Sequence, residues 1–116
     1  MTRRAGWLVA VGLALFGGAG CGAIEYSVVI LQAHEAIAEA EVAGAGPLED
    51  REDCREGVDC WLAPYEYTFA VEHLRKAREE VGQADYQAAV ELARAARDTA
   101  RKARDIAVQL RREAGR

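Results

Sequence analysis

Apolar residues recur along residues 63–110 at alternating intervals of three and four, which places them on one face of an α-helix. The row comprises Tyr67, Ala70, Leu74, Ala77 and Val81, then Tyr86, Ala89, Ala93, Ala96, Ala100, Ala103, Ala107 and Leu110. Gly82-Gln83 separates its two halves, so the pattern predicts two helices, about 64–82 and about 85–112. The row is a heptad seam made mostly of alanine. Such a seam lets helix axes approach closely, although each residue buries little area.

Residues 23–43 show the same period and predict a further helix. One stripe consists of Ala23, Tyr26, Ile30, Ala33, Ile37 and Ala40, and a second consists of Ile24, Val28, Leu31, Ala38 and Val42. Two stripes make a wide apolar face. We expect this face to contact two neighbours, which are either the other two helices or one helix and a second copy of the chain. Gly44 and Pro47 are expected to end the helix.

The ends of the later helices carry local signals of the same kind. Pro64 suits the first turn of a helix, where its missing N–H costs no hydrogen bond, and Asp85 suits an N-cap. No segment alternates β-branched and polar residues with period two, so no sheet is expected. The predicted fold is all-α: a three-helix, antiparallel, coiled-coil-like bundle.

The first twenty residues have the plan of an export signal. Arg3 and Arg4 precede the uncharged apolar run 5–16, and small residues follow up to Gly20. The run is short for a membrane-spanning helix, which needs about 20 apolar residues. We therefore predict a signal peptide at 1–20 and a helical domain at 21–116.

Cys21 directly follows the small residues. The sequence Gly18-Ala19-Gly20-Cys21 resembles the lipobox of bacterial lipoproteins, although Gly18 stands where leucine is usual. The resemblance implies cleavage before Cys21 and lipidation of that cysteine with acyl chains such as palmitate. Gly22 in place of aspartate implies an outer-membrane lipoprotein facing the periplasm. A secreted or periplasmic protein, or an N-terminal anchor in the inner membrane, is the alternative location.

An acidic loop at 44–62 separates the first two predicted helices and contains Cys54 and Cys60. In an oxidising compartment two nearby cysteines most simply form a disulfide, and Gly57 permits the tight turn between them. The spacing is atypical of a zinc knuckle or of a redox pair. The carboxylates lack the regular arrangement of an EF-hand loop, so calcium binding is a secondary interpretation. We therefore predict a disulfide-pinned loop and no metal or other cofactor.

Two surfaces are candidates for contact with a partner. Trp61, Tyr65 and Phe69 follow one another at four-residue intervals and either cap the core or form an exposed aromatic docking site. The second candidate is the basic end of the last helix, with Arg104, Arg111 and Arg112. A basic end suits nucleic acid or anionic lipid, or is simply a solvated face.

Charge and residue types exclude several functions. The formal net charge is −4, and together with an export signal it disfavours nucleic-acid binding. His34 and His73 each lack a second histidine three or four residues away, so no helical metal pair is formed. No catalytic serine, phosphate-binding glycine loop or cysteine–histidine pair is evident, and we predict no enzymatic activity.

The chain also resembles known helical families. Gly82, Tyr86 and Ala89, followed by spaced alanines, look like half of a tetratricopeptide repeat, but only one such unit is present. A closer likeness spans 33–107. It rests on Ala-x-x-x-Ile-x-x-Ala, Ala-Pro, Leu-x-x-Ala and Asp-Tyr-x-x-Ala, and it is to alanine-rich bacterial lipoprotein domains of unknown function. Those domains occur alone or before an OmpA-like domain, and the cysteine loop is an addition to their pattern.

The sequence thus predicts a lipid-anchored envelope protein without catalytic activity, whose helices form a protein-interaction or assembly module. The alternative is a structural spacer that self-associates as a coiled coil, in the manner of murein lipoprotein. The comparison with murein lipoprotein fails at the C-terminus, because Ala114-Gly115-Arg116 lacks the terminal lysine that attaches that protein to peptidoglycan.

Overall fold

The structure is a computed structural model that describes residues 20–47 and 61–116. Within these residues it contains three helices and no named strand. We label them α1 (Gly20–Ala43), α2 (Pro64–Gly82) and α3 (Tyr86–Ala114). The three-helix bundle expected from the periodicity is therefore present. α1 begins three residues earlier than expected, and α3 continues two residues further.

The order of the helices in space follows from α3. This helix packs closely along both α1 and α2, whereas α1 and α2 approach each other much less. α2 runs back along α3 as the second arm of a hairpin. Polar contacts join Glu25 to Arg94 and Glu39 to Arg104, so α1 runs parallel to α3. The bundle therefore has two ends, one with Cys21 and the α2–α3 turn, the other with the α1–α2 connection and the end of α3.

The core of the described residues is built from alanine. Of the 18 buried hydrophobic residues 14 are alanine, and the others are Val29, Ile37, Leu74 and Val90. The main cluster draws on all three helices, with Ala33 and Ile37 from α1, Leu74 from α2 and Ala96 from α3 among its members. Alanine at these positions permits close approach of the helix axes, at the lower end of the usual range of about 8–10 Å.

The seam predicted for α2 and α3 is largely confirmed. Its alanines from Ala70 to Ala107 and Leu74 are buried, and Tyr67, Val81 and Tyr86 are partly buried. Leu110 is the exception, because it is 41% exposed near the C-terminal end of α3.

The interpretation in which both stripes of α1 pack against the other two helices is wrong for the second stripe, and the alternative of a second copy stays a prediction. The first stripe contributes Ala33, Ile37 and Ala40 to the core. The second stripe is not covered by the bundle, because it lies about 150° around the helix from the first. Its large members Ile24, Val28, Leu31 and Val42 are between 51% and 82% exposed. α1 is thus apolar on two nearly opposite faces.

Candidate partner-binding end

The α1–α2 end of the bundle begins where Gly44 terminates α1. Gly44 has a φ of 100°, its N–H donates to Glu41 O at 2.9 Å, and Ala45 N–H donates to Ala40 O at 2.9 Å. These two bonds form a Schellman motif, in which the residue after the helix takes a left-handed conformation that favours glycine. The predicted role of Gly44 as a C-terminal cap is confirmed.

Residues 44–46 and 61–63 lie side by side at this end. Gly46 N–H donates to Leu62 O at 3.3 Å and Leu62 N–H donates to Gly44 O at 2.9 Å, as in a single parallel bridge. Ala63 then precedes α2 in a left-handed conformation, with a φ of 48° and no side-chain cap. Pro64 occupies the first turn, as expected. The bridge fixes where α2 begins and hence the direction of the side chains in its first turns.

The three predicted aromatic residues are all exposed at this end. Trp61 is 41%, Tyr65 72% and Phe69 45% exposed. The Trp61 ring lies over Gly46, where an added Cβ would clash with it. The Phe69 ring stacks on His73 with a centroid separation of 3.7 Å, and the His73 Nδ1 is 3.0 Å from Phe69 O. Of the two interpretations left open by the sequence, the exposures agree with an exposed docking site and not with a cap buried in the core. We call Trp61, Tyr65 and Phe69 together the aromatic surface.

Two of the three predicted basic residues contact other parts of the bundle. Arg104 Nη1 donates to Glu39 Oε2 on α1 at 2.6 Å, and Arg104 also pairs with Asp105. These carboxylates, Asp105 first, raise the Arg104 pKa above its ordinary value. The Arg111 guanidinium lies against Gly44, with Nη2 2.6 Å from where a Cβ would stand. The positive charge of Arg111 also interacts favourably with the negative, C-terminal end of the α1 dipole.

Arg97, Arg104 and Arg111 form a row with heptad spacing, which we call the arginine row. Arg97 Nη1 donates to Gln32 Oε1 at 2.9 Å, one heptad before the Arg104–Glu39 contact. The row therefore follows the second half of α1, and Arg97 and Arg104 join that half to α3. This role was not predicted from the sequence, although the seven-residue repeat of these arginines was a signal that could have shown it. Arg112 is outside the row and is exposed.

Tyr67 links α2 to α1 behind the aromatic surface. Its hydroxyl donates to Glu41 Oε1 at 2.5 Å. Burial, followed by the hydrogen bond to this carboxylate and its charge, raises the Tyr67 pKa to about 12. Ionising the phenol would place two anions together in a partly desolvated site, so the neutral form is favoured in the folded protein.

This shift predicts a loss of stability at high pH. The folded-state pKa of Tyr67 lies above the value of about 10 for an unfolded chain. The contribution of Tyr67 to the free energy of unfolding is therefore complete below pH 10, and it falls as the pH rises towards 12. We expect Tyr67→Phe to show a shallower decline in the free energy of unfolding across that window, measured by urea denaturation. Tyr65→Phe, which removes an exposed phenol, is the matched control and should follow the wild type. Equal slopes in all three proteins would contradict the assignment.

Cys21 lies at the opposite end of the bundle. It is exposed in the first turn of α1, beside Gly22, where a Cβ would meet the Tyr86 side chain at 3.1 Å. Asp85 caps α3 at this end by accepting from Ala88 N–H at 3.0 Å, as predicted. From Cys21 to Ala43 the helix rises about 33 Å. The lipidation candidate and the aromatic surface are thus separated by the length of α1.

Cys54, Cys60 and the acidic residues between 48 and 60 lie outside the described residues, so the predicted disulfide and the calcium interpretation have no structural counterpart here. Within residues 20–47 and 61–116, no group of three or more histidine, cysteine or acidic side chains is placed to hold a metal ion. None of the three described helices has the length and hydrophobicity required to span a membrane.

His34 accepts a hydrogen bond from Arg78 at 2.6 Å, and this contact joins α1 to α2.

The described residues form two different exposed apolar surfaces, an aromatic one at the α1–α2 end and an aliphatic one along α1.

Comparisons of the chain with models of protein families, with curated proteins and with solved structures found no match.

Proposed function

We propose that this chain is a lipid-anchored protein of the bacterial envelope whose bundle is a non-catalytic module for binding or assembling another protein. The observation that carries the proposal is the placement of Cys21 and the aromatic surface at opposite ends of α1, which rises about 33 Å from Cys21 to Ala43. A lipid at Cys21 holds one end at the bilayer. Trp61, Tyr65 and Phe69 are then presented away from it.

Aromatic side chains suit this role because tyrosine and tryptophan contribute large contact areas with few rotatable bonds. Tyr65 is the most exposed of the three. Arg112 is exposed on the last turns of α3 at the same end of the bundle. The surface therefore fits a protein partner with an apolar pocket for the aromatic rings and carboxylates at its rim. The predicted disulfide between Cys54 and Cys60 belongs to the same proposal, since it would restrict the loop that enters this end.

The anchor is tested by replacing Cys21 with serine in the full-length chain. Two or more acyl chains on Cys21 would give stable membrane binding. We expect the wild type to incorporate labelled palmitate and to float with membranes, and Cys21→Ser to incorporate no label. Wild type that incorporates no palmitate, or Cys21→Ser that incorporates it as the wild type does, would overturn the lipidation. Membrane retention of unlabelled Cys21→Ser would show only that the variant keeps its leader.

The aromatic surface is tested with a photo-crosslinking amino acid at position 65 in living cells. A matched control carries the same group at Gln83, which is exposed in the α2–α3 turn at the Cys21 end. We expect one discrete protein adduct from position 65 that is absent from position 83. Phe69→Ala should reduce that adduct. Equal adducts from both positions, or none from position 65, would refute the partner surface.

The disulfide is tested by alkylating the purified full-length protein before and after reduction. Two additional thiols should become reactive only after reduction, and mass spectrometry should place them at Cys54 and Cys60. Both thiols reacting without reduction would remove the disulfide from the proposal and leave the rest intact.

A further inference from the structure

The exposed face of α1 is the largest aliphatic feature outside the core of the described residues. We call it the outer stripe, and it consists of Ile24, Val28, Leu31, Ala38 and Val42. It faces away from the core side of the same helix, so no part of α2 or α3 can cover it. A row of four large aliphatic side chains in water is unfavourable by about 25 cal/mol for each Å² of apolar surface.

The helix edges beside the outer stripe are already engaged within the bundle. Glu25, Gln32 and Glu39 form one edge, and each contacts an arginine of α3. His34 and Glu41 form the other edge, and they contact Arg78 and Tyr67 of α2. The stripe between these edges is the part of α1 that remains for an external partner.

The outer stripe has the pattern of a short coiled-coil seam. With Ile24, Leu31 and Ala38 at d positions, the a positions are Val28, Glu35 and Val42. Val28 and Val42 are β-branched residues at a, and Leu31 is a leucine at the central d position; this combination favours a parallel two-stranded coiled coil. One polar residue at an a position fixes register at a cost in stability. Glu35 is that polar residue, since it is the one charged side chain in the line of the stripe.

Charge disfavours the bilayer surface as the occupant. α1 carries four glutamates and no lysine or arginine. An anionic membrane surface attracts basic segments and repels acidic ones. We therefore infer that the outer stripe binds the outer stripe of a second copy of this chain, in parallel register, on the membrane. This inference rests on the lipid anchor of the proposed function, because two chains anchored through Cys21 in one bilayer leave it in the same direction.

The size of the stripe explains why the anchor is needed. From Ile24 to Val42 it is about 27 Å long and about 10 Å wide, or roughly 300 Å² per protomer. A stable interface in solution buries about 800 Å² per partner. Tethering two chains to one surface raises their effective concentration without adding contacts. The dimer is thus expected on membranes and not in dilute solution, and it leaves the aromatic surfaces of both copies free.

The test uses full-length, acylated protein in phospholipid vesicles, with donor and acceptor fluorophores at the C-termini of separate populations. We expect energy transfer between wild-type chains on vesicles. Leu31→Glu should weaken the association at least about tenfold, because it places a charge at the centre of the seam. Gln83→Glu, which places the same charge on an exposed residue of the α2–α3 turn, is the matched control and should leave the transfer unchanged.

Glu35 reports the direction of pairing. In parallel register the two Glu35 carboxylates oppose each other, so Glu35→Gln should strengthen the dimer. When Glu35→Lys is mixed with wild type, mixed dimers should form in preference to dimers of the variant with itself. In antiparallel register Glu35 would oppose Leu31, so the two carboxylates would lie further apart and the preference for mixed dimers would be weaker. Unchanged transfer in Leu31→Glu would overturn the stripe as the interface.

The outcomes also separate this inference from the proposed function. Protein that floats with vesicles but gives no energy transfer would refute the dimer and leave the anchor standing. Protein that fails to bind vesicles would refute both. Wild-type chains that remain dimeric after transfer to dilute, lipid-free solution would overturn the requirement for a membrane.

Discussion

Ala96→Leu is expected to lower the free energy of unfolding by about 1–3 kcal/mol or more. Ala96 is 0% exposed, and the main core cluster surrounds it with side chains from all three helices. The larger side chain can be accommodated only if the helices move apart. Because the core is mostly alanine, a small separation removes contacts along the whole seam. Ala93→Leu is expected to act in the same way, and urea denaturation monitored by circular dichroism measures both.

Glu91→Leu provides the control for this prediction. Glu91 is exposed on the same helix, so the variant adds the same leucine without entering the seam. We expect its midpoint of denaturation to stay close to that of the wild type. If Ala93→Leu and Ala96→Leu were as stable as Glu91→Leu, the alanine seam would not be a closely packed interface.

Gly44→Ala is expected to destabilise the bundle by about 1–3 kcal/mol. At a φ of 100° a side chain is strained whatever space surrounds it. The added Cβ would also displace the Arg111 guanidinium, which can move because it is the far end of a flexible side chain. The main cost therefore comes from the backbone, and it should be accompanied by loosening of the α1–α2 connection.

Gly82→Ala is the matched control and should not lower the free energy of unfolding. Gly82 is the last residue of α2, and a Cβ there would meet nothing within 4 Å. Alanine is favoured over glycine in a helix by up to about 1 kcal/mol, so this variant should be neutral or more stable. Thermal unfolding of the two variants side by side measures the difference. Equal melting temperatures would contradict the left-handed conformation assigned to Gly44.

Most of the secondary structure could be predicted from the sequence because it depends on local signals. The spacing of the alanines predicts the faces of α2 and α3, and Gly44, Pro64 and Asp85 mark helix ends through backbone preferences of their own. Leu110 shows where such a signal stops being sufficient. Its position in the heptad is correct, but burial also requires a neighbour at that height along the bundle, and the pattern carries no information about that.

The candidate site was less predictable because it depends on which side chains meet across helices. Periodicity identified both stripes of α1 but not which of them faces the core, since both are apolar. Composition marked Arg104 and Arg111 as part of a basic end. Their contacts with Glu39 and Gly44 depend on which faces of α1 and α3 meet, and the apolar pattern leaves that open because both faces of α1 are apolar.

The central place of α3 has a consequence for biosynthesis. The helix that completes the core is the last of the three described helices to be synthesised and exported, and α1, the first of them, contacts α2 much less than it contacts α3. Contacts between α1 and α3 join residues about 65 positions apart, as in Arg104 with Glu39. Such distant contacts form late, and a chain with exposed apolar surface is prone to aggregation until they form. Under the proposed export, new chains should therefore depend on periplasmic chaperones until α3 has emerged.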